Sequence, residues 1–522
     1  MKLVVIHYHL RPGGVRRVIE LATAQLAKRL SRTLEFVVLA VGERPDSKWK
    51  SQFQTQLTGT PSEFFIEPAF NYLSEQHLAT GQVRTRLRVA LKSLLHDAQD
   101  GNTVVWAHNL GIGRNLLLTH EVTRACAERG IPLLLHHHDW WFDNRWRRWP
   151  EMRSAGFTNL NRVARVIFAS VNSTHHLAIN RSDALQLRRG FSGNAHWVPN
   201  LIERAEAPPK KRVWATRAWL QELFNERNAP VWILPCRALR RKNMAEALLL
   251  TRWLRPEAWL VTTGGASSAD EQLYFKRLVA AAHENRWRLR LGILRGDESK
   301  KPSVPELLAA SEAVLLTSIQ EGFGLPYLEA AAARRPLIAR SIPNIAPDLK
   351  QLGFRFPQYY EEILIDPRLF DWRAEQGRQT NLFQVWRKQL PRPVQAFAGR
   401  PPFLAAGSKP RPVAFSRLTF TAQLQVLSQS IELSWKLCTP LNPFLLTWRK
   451  RAQAGRLQLT AWPQKAAEQL SGPAYAQRIV EIASQQSKRR SNAGAGPAVQ
   501  AEFLRAKLDA KHLFPLLWST HS

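Results

Sequence analysis

The feature that most narrows the fold is an alternation of short apolar runs with helical stretches, which occurs twice. The first series is KLVVI (2–6), EFVVLAV (35–41), NTVVWAHN (102–109), IPLLLHHHD (131–139) and ARVIFASV (164–171). Segments such as GVRRVIELATAQLAKRL (14–30) separate these runs with helical periodicity. Continuous apolar strands between helices need cover on both faces, which a parallel sheet between helical layers provides. The pattern pauses at ERAEAPPKKRVWATRAW (203–219), a charged, proline-bearing stretch that reads as a linker. It restarts at 229–239, 258–265, 288–294, 312–318 and 335–341. The expected class is α/β, with two Rossmann-like domains facing each other across a cleft. The expected domains are 1–205 and 206–430, the latter with an irregular insertion at about 351–412. A helical extension over 431–522 follows, with a flexible low-complexity segment at 487–498 and a final helix in VQAEFLRAKLDAKHLF (499–514).

Composition limits the partners. No stretch approaches the roughly 18 uninterrupted apolar residues of a membrane span, and the apolar run before His7 is too short for a signal peptide. Cys126, Cys236 and Cys438 are odd in number and far apart, which fits a reducing compartment. A cytoplasmic location is expected, with peripheral contact to the inner face of the membrane as an option. The 74 Lys and Arg against 41 Asp and Glu leave a net charge of +33. That excess suits nucleic acid, anionic lipid or anionic small substrates; arginine spread along the whole chain also fits a GC-rich genome. No helix-turn-helix pattern, zinc-ligand spacing or RNP-type strand accompanies the charge, so no specific nucleic-acid partner is expected.

Four stretches fall at strand ends, where doubly wound sheets bind ligands. Gly13 and Gly14 follow the first strand. They allow a sharp turn and close approach to a ligand, and the next helix offers its N-terminus to an anion; a plain tight turn explains them equally well. In HHHDWWFDNRWRRWP (136–150) successive histidines alternate faces, so only His136 and His138 converge and no metal is expected. His138 beside Asp139 is placed to reach the cleft, the alternative being a structural histidine. Trp140, Trp141, Trp146 and Trp149, with Arg145, Arg147 and Arg148, suit sugar stacking and anion binding, or an interface patch. In CRALRRKN, Arg237 and Lys242 lie five apart across a strand-to-helix turn, a spacing that lets two cations clamp one diphosphate. In EGFGLPYLE, Glu321 precedes a turn, and Glu329 lies about one turn into a helix that has Pro326 near its start. At about 1.5 Å per residue their backbones are up to about 12 Å apart. A glycosidase pair needs its carboxyls roughly 5 to 9.5 Å apart. The wider spacing suits two contacts on one elongated ligand, the alternative being a helix-terminal carboxylate and a solvated one.

In this order, the Gly-Gly loop, the His-Asp after a strand, the Arg-x4-Lys and the Glu-x7-Glu around EGFGLP resemble the retaining GT-B glycosyltransferases of family 4 (group 1). The resemblance is specific over about 230–345 and fainter over 1–20, 131–145 and 196–202. It is absent from most of 351–412 and from about 430 onward. It implies a nucleotide-sugar donor as co-substrate, held mainly by the C-terminal domain, and transfer of a hexose with retention and without a metal or other cofactor. By position, Arg237 and Lys242 would bind the donor diphosphate and stabilise it as leaving group. Glu321 and the Phe323–Gly324 backbone would hold sugar hydroxyls, with Gly322, Leu325, Gly13 and Gly14 completing the donor site. Glu329 would bind the ribose, and His138 would contact the donor sugar near the reacting centre.

This chain departs from the family pattern in two places: Arg334 stands where the family usually ends the helix with glycine, and SIPNIAPDL replaces the next glycine-containing loop. The resemblance places the acceptor against the N-terminal domain, where Asp139, Arg145, Arg147 and Arg148 suggest an anionic one. A competing use of basic-aromatic segments such as FLLTWRKR (444–451) is attachment to anionic lipid. The alternatives to a glycosyltransferase are a nucleic-acid-binding protein on this scaffold and a GT-B phosphorylase or epimerase.

Overall fold

The structure is a computed structural model that describes residues 1–96, 102–171, 173–202, 207–266, 269–296, 301–405, 409–485 and 494–518. The chain forms two compact units. One comprises 1–203, 389–397 and 465–508; the other comprises 204–388, 398–464 and 509–522.

The first unit is built on a seven-stranded sheet: β1 Lys2–Ile6, β2 Phe36–Val41, β3 Ser62–Ile66, β4 Thr103–His108, β5 Leu133–His137, β6 Thr174–Ala178 and β7 Ala195–Trp197. Its order is β3-β2-β1-β4-β5-β6-β7, and every pairing is parallel. β1 therefore pairs with both β2 and β4, and the chain changes direction across the sheet at β1/β4. The second unit has six strands: β8 Val231–Leu234, β9 Trp259–Thr262, β10 Leu289–Arg290, β11 Ala313–Leu316, β12 Leu337–Arg340 and β13 Gln358–Tyr360. The order β10-β9-β8-β11-β12-β13 is again all parallel, with its switch between β8 and β11. Each unit is thus Rossmann-like, with its binding edge at the strand C-termini beside the switch.

The structure departs from the sequence reading in several places. ARVIFASV is not a strand: a helix spans Leu160–Ile167, capped by Asn159, whose Oδ1 accepts from Arg162 N at 2.9 Å. Val163, Ala164, Val166 and Ile167 are buried while Arg162 and Arg165 are exposed, the period of a helix and not of a strand. The sixth strand is instead THHLA (174–178). Half of the stretch read as a linker is helical, since Lys210–Phe224 forms a helix behind Pro209. The region read as an irregular insertion contributes β13 and an 18-residue helix, Trp372–Gln389. The residues read as a C-terminal extension are shared between the two units. Of the low-complexity segment, 487–493 lies outside the described residues, and 495–498 open the last long helix, Ala495–Lys507.

A buried polar cluster braces the second sheet. Arg340 at the end of β12 donates to Glu246 at 2.5 Å and to Glu362 at 2.7 Å, and Tyr360 donates to Glu246 at 2.6 Å. Glu246 also accepts from Asn243 at 2.9 Å, which ties the cluster to the residue directly after Lys242.

Candidate functional site

In the second unit the loop leaving β8 carries Arg237 and the turn Arg240–Lys242, and the loop leaving β11 carries Glu321. Both loops therefore open at the switch point. Thr317 Oγ1 donates to the carbonyls of Lys242 (2.9 Å) and Asn243 (3.1 Å), and Ile319 N donates to Arg241 O (2.9 Å). These bonds lock one loop onto the other. The Lys242 ammonium bonds to Glu321 Oε1, which also accepts from Ser318 Oγ at 2.7 Å, while Arg241 donates to Glu321 Oε2 at 2.9 Å. Asn344, from the SIPNIAPDL loop, donates to the Glu321 carbonyl at 2.9 Å. Burial alone would push the Glu321 carboxyl up, but Lys242 and Arg241 outweigh it and hold the group at about 2. The Glu321 carboxylate is thus buried, ionised and fixed at both oxygens.

Arg237 is exposed, and its guanidinium has no hydrogen-bond or ion-pair partner among the described residues. Burial pushes the Cys236 thiol up to about 11, and the charges acting on it are Lys242, Glu321, Arg241 and Arg237. All four charges therefore lie near the end of β8. Gly264 allows this loop to close, because a Cβ there would come within 2.8 Å of Arg237 Cγ.

Glu329 is half-buried in the helix Leu325–Ala332 and its carboxylate has no hydrogen-bond or ion-pair partner among the described residues; burial raises its pKa. Gly324 caps that helix at φ +76°, where a Cβ would meet the Tyr327 ring at 2.8 Å, so this position requires glycine. Arg334 adopts φ +51°, the left-handed conformation that glycine takes at other helix ends, so the missing glycine does not change the chain's path. Sequence reasoning missed Arg241, Ser318, Thr317 and Asn344. Arg241 carried a signal, since it adjoins Lys242, but it was hidden in a run of basic residues. The cavity of about 690 Å³ in this unit, lined by Trp372, Phe403, Val413 and Lys511 among others, contains none of these residues.

In the first unit, Gly13 and Gly14 precede the helix Gly14–Arg29. Gly13 is extended (φ 168°) and a Cβ on Gly14 would meet nothing within 4 Å, so protein packing does not demand glycine at either position. His138 Nε2 shares a hydrogen bond with His108 Nδ1 (3.1 Å), and His7 Nδ1 with His108 O (2.9 Å). Asp139 turns to Arg145 at 3.4 Å, and its backbone N–H donates to Asn109 at 2.9 Å. Ring nitrogens of His108, His136 and His138 lie within 4.8 Å of one another. β4 thus supplies a third imidazole to the two expected to converge, and the trio could hold a metal ion. His108 Nε2 lacks the outer hydrogen-bond partner that metal-binding histidines usually have. Burial lowers the whole group: His7 to about 3, His138 and His176 to about 4, and His108, His136 and His137 well below their ordinary value. These imidazoles are neutral at physiological pH.

The tryptophans read as sugar platforms are mostly core. Trp140, Trp141 and Trp146 are buried, and Trp140 donates to Asp183 at 2.8 Å and packs on Phe168 and Phe503. Trp149 alone of the four is half-exposed. Arg148 is paired with Glu151 at 2.8 Å and Arg147 is exposed. In FLLTWRKR, Leu445 and Trp448 turn inward and Arg449 stacks on Trp435, which leaves Leu446 as its exposed large apolar side chain. No helix among the described residues is long and apolar enough to cross a membrane.

Residues 217–352, which hold Arg237, Lys242, Glu321 and Glu329, match the family of glycosyl transferases group 1. Over these residues the chain is similar to a group 1 glycosyltransferase domain. Two curated relatives come from Petrotoga mobilis (strain DSM 10674 / SJ95). Mannosylglucosyl-3-phosphoglycerate synthase is 24% identical over 379 residues, covering 70% of this chain and 69% of the relative. Mannosylglucosylglycerate synthase is 20% identical over 291 residues, covering 50% of this chain and 64% of that relative. Among solved structures, Anabaena HepE in complex with UDP-glucose superposes with a TM-score of 0.52 at 15% identity, covering 93% of this chain and 99% of that one. A glycosyltransferase from Rickettsia africae ESF-5 gives 0.50 at 12% identity, covering 92% and 97%. These likenesses show the fold, GT-B.

Proposed function

We propose that the protein is a retaining, metal-independent hexosyltransferase. It takes the sugar from a nucleoside-diphosphate sugar and passes it to a small anionic acceptor such as a sugar acid or sugar phosphate. The observation that carries this reading is the buried Glu321 carboxylate holding Lys242 and Arg241 at the β8/β11 switch, beside an unpaired Arg237. Transfer breaks the bond from the anomeric carbon to the diphosphate oxygen and forms one to an acceptor hydroxyl oxygen, whose proton passes to the departing diphosphate. Negative charge then grows on the departing diphosphate. An ammonium has three N–H donors, and Glu321 takes one of Lys242's, so the others can meet phosphate oxygens together with the Arg237 fork. Glu321 Oε2 accepts from Arg241, which leaves acceptor capacity for a sugar hydroxyl. The half-buried Glu329 is suited to ribose hydroxyls. For His138 we retain the contact with the donor sugar that the resemblance implies, made by a neutral imidazole.

The acceptor class is supported by the two curated relatives, whose names both specify a glycerate, a carboxylate, and one of them a phosphoglycerate. With an α-linked donor and EDTA present, proton NMR should show an α-linked product. A β-linked product, or loss of transfer that Mg²⁺ or Mn²⁺ restores, contradicts the proposal.

A further inference from the structure

Arg114 lies in the loop that leaves β4, on the first sheet's switch between β1 and β4. Its guanidinium stacks over the Tyr72 ring, 4.6 Å from the centroid, and His9, from the loop leaving β1, meets the same ring edge-on at 5.0 Å. Arg114 is half-buried, yet its guanidinium has no hydrogen bond or ion pair among the described residues. Burial, then the nearby Arg148 guanidinium, pulls its pKa below the usual arginine value.

The arginines nearby are already neutralised. Arg11 is held by Glu43 at 2.7 Å and Glu75 at 2.9 Å, Arg145 faces Asp139 at 3.4 Å, and Arg148 faces Glu151 at 2.8 Å. The backbone that carries this ring is pinned on both sides. Leu73 N donates to Arg114 O at 2.9 Å, and Asn115 Nδ2 donates to Ala69 O and Asn71 O at 2.9 and 2.7 Å. Asn71 in turn donates to Gly42 O at 3.1 Å, and a Cβ on Gly42 would lie 2.5 Å from Asn71.

We propose that Arg114, stacked on Tyr72, anchors the anionic group of the acceptor, a carboxylate or phosphate gripped by the guanidinium fork. This deepens the proposed function and rests on it, because that reading calls for an anionic acceptor, which the family resemblance places against the N-terminal domain. A planar fork matches two oxygens of either group, and stacking on the ring leaves less side-chain freedom to lose on binding. Arg145, Arg147 and Arg148, the sequence candidates, are secondary to it.

The test is a calorimetric titration of the full chain with inorganic phosphate, with D-glycerate and, separately, with UDP. Arg114→Gln should weaken phosphate or glycerate binding by about tenfold or more while UDP binding stays unchanged, which also reports a folded variant. Arg114→Lys keeps the charge, loses the fork and should fall between Arg114→Gln and the parent. A response to phosphate and not glycerate identifies a phosphorylated acceptor, and the reverse a sugar acid. Binding of both anions by Arg114→Gln as by the parent, or no anion binding by the parent, overturns the assignment. If the parent binds an anion through Arg114 but not UDP, the anchor stands and the donor reading falls.

Discussion

Lys242→Ala and Arg237→Ala should each lower kcat/KM by about 10²-fold or more. The loss expected for one preorganised charge-stabilising donor is about 2.7–4 kcal/mol. The fall should appear in both KM and kcat, because the bound diphosphate is already charged and gains more charge as the bond breaks. The two variants should differ in stability. Arg237 is exposed and unpaired, so its removal should leave Tm unchanged. Lys242 is buried against Glu321, and its removal leaves that carboxylate with Arg241 and Ser318 alone, so Tm should drop. Steady-state kinetics with thermal denaturation of both variants checks this. Activity within threefold of the parent in both would contradict the donor clamp.

The first unit should unfold in mild acid, well before the second. His7, His138 and His176 are buried with folded-state values of about 3, 4 and 4, against an ordinary 6.5. Below 6.5 the unfolded chain takes up protons that the folded chain refuses, so stability is full above 6.5 and falls as pH drops towards 4. Each such histidine removes about 1.4 kcal/mol per pH unit in that window. Several together can exceed the 5–15 kcal/mol margin of a typical domain. Glu321 acts over a lower range: held at about 2, its stabilisation is full above its unfolded value and is lost only as pH falls towards 2. In EDTA, tryptophan fluorescence and proteolysis between pH 7 and 3.5 should show residues 1–202 opening first, with a midpoint above 4. A Tm independent of pH between 7 and 4.5 would mean that these imidazoles are solvated.

The central strands were legible in the sequence because both their faces are covered, so β1, β2, β4, β5, β8 and β11 are continuous apolar runs. Of the overlooked strands, β3, β7 and β13 are sheet edges, whereas β6, THHLA, is interior and was missed because two histidines interrupt its apolar run. An edge strand has a neighbour on one side only, and SEFFI, AHW and QYY lack the apolar run that full cover demands. The helix Leu160–Ile167 was mistaken for a strand because its β-branched residues fall together on the buried face. At the site, Arg237, Lys242, Glu321 and Glu329 stood out by their spacing around strand-to-helix turns. Arg241 and Arg114 did not, because one more arginine in a chain of net charge +33 carries no signal until its partners are known. Trp140 was read as a sugar platform because sequence does not reveal that helix Ala495–Lys507 brings Phe503 onto it, and Trp141 and Trp146 because it does not reveal that they pack on each other.

In the proposed function the second unit seats a nucleoside-diphosphate sugar on Arg237, Lys242 and Glu321. Calorimetric titration with UDP-glucose, GDP-mannose and ADP-glucose in EDTA tests it most directly. One-site binding of at least one of them is expected, weakened about tenfold or more in Arg237→Ala, whose fold is undisturbed. Binding of none of the three, or binding equally tight in Arg237→Ala and the parent, would contradict it.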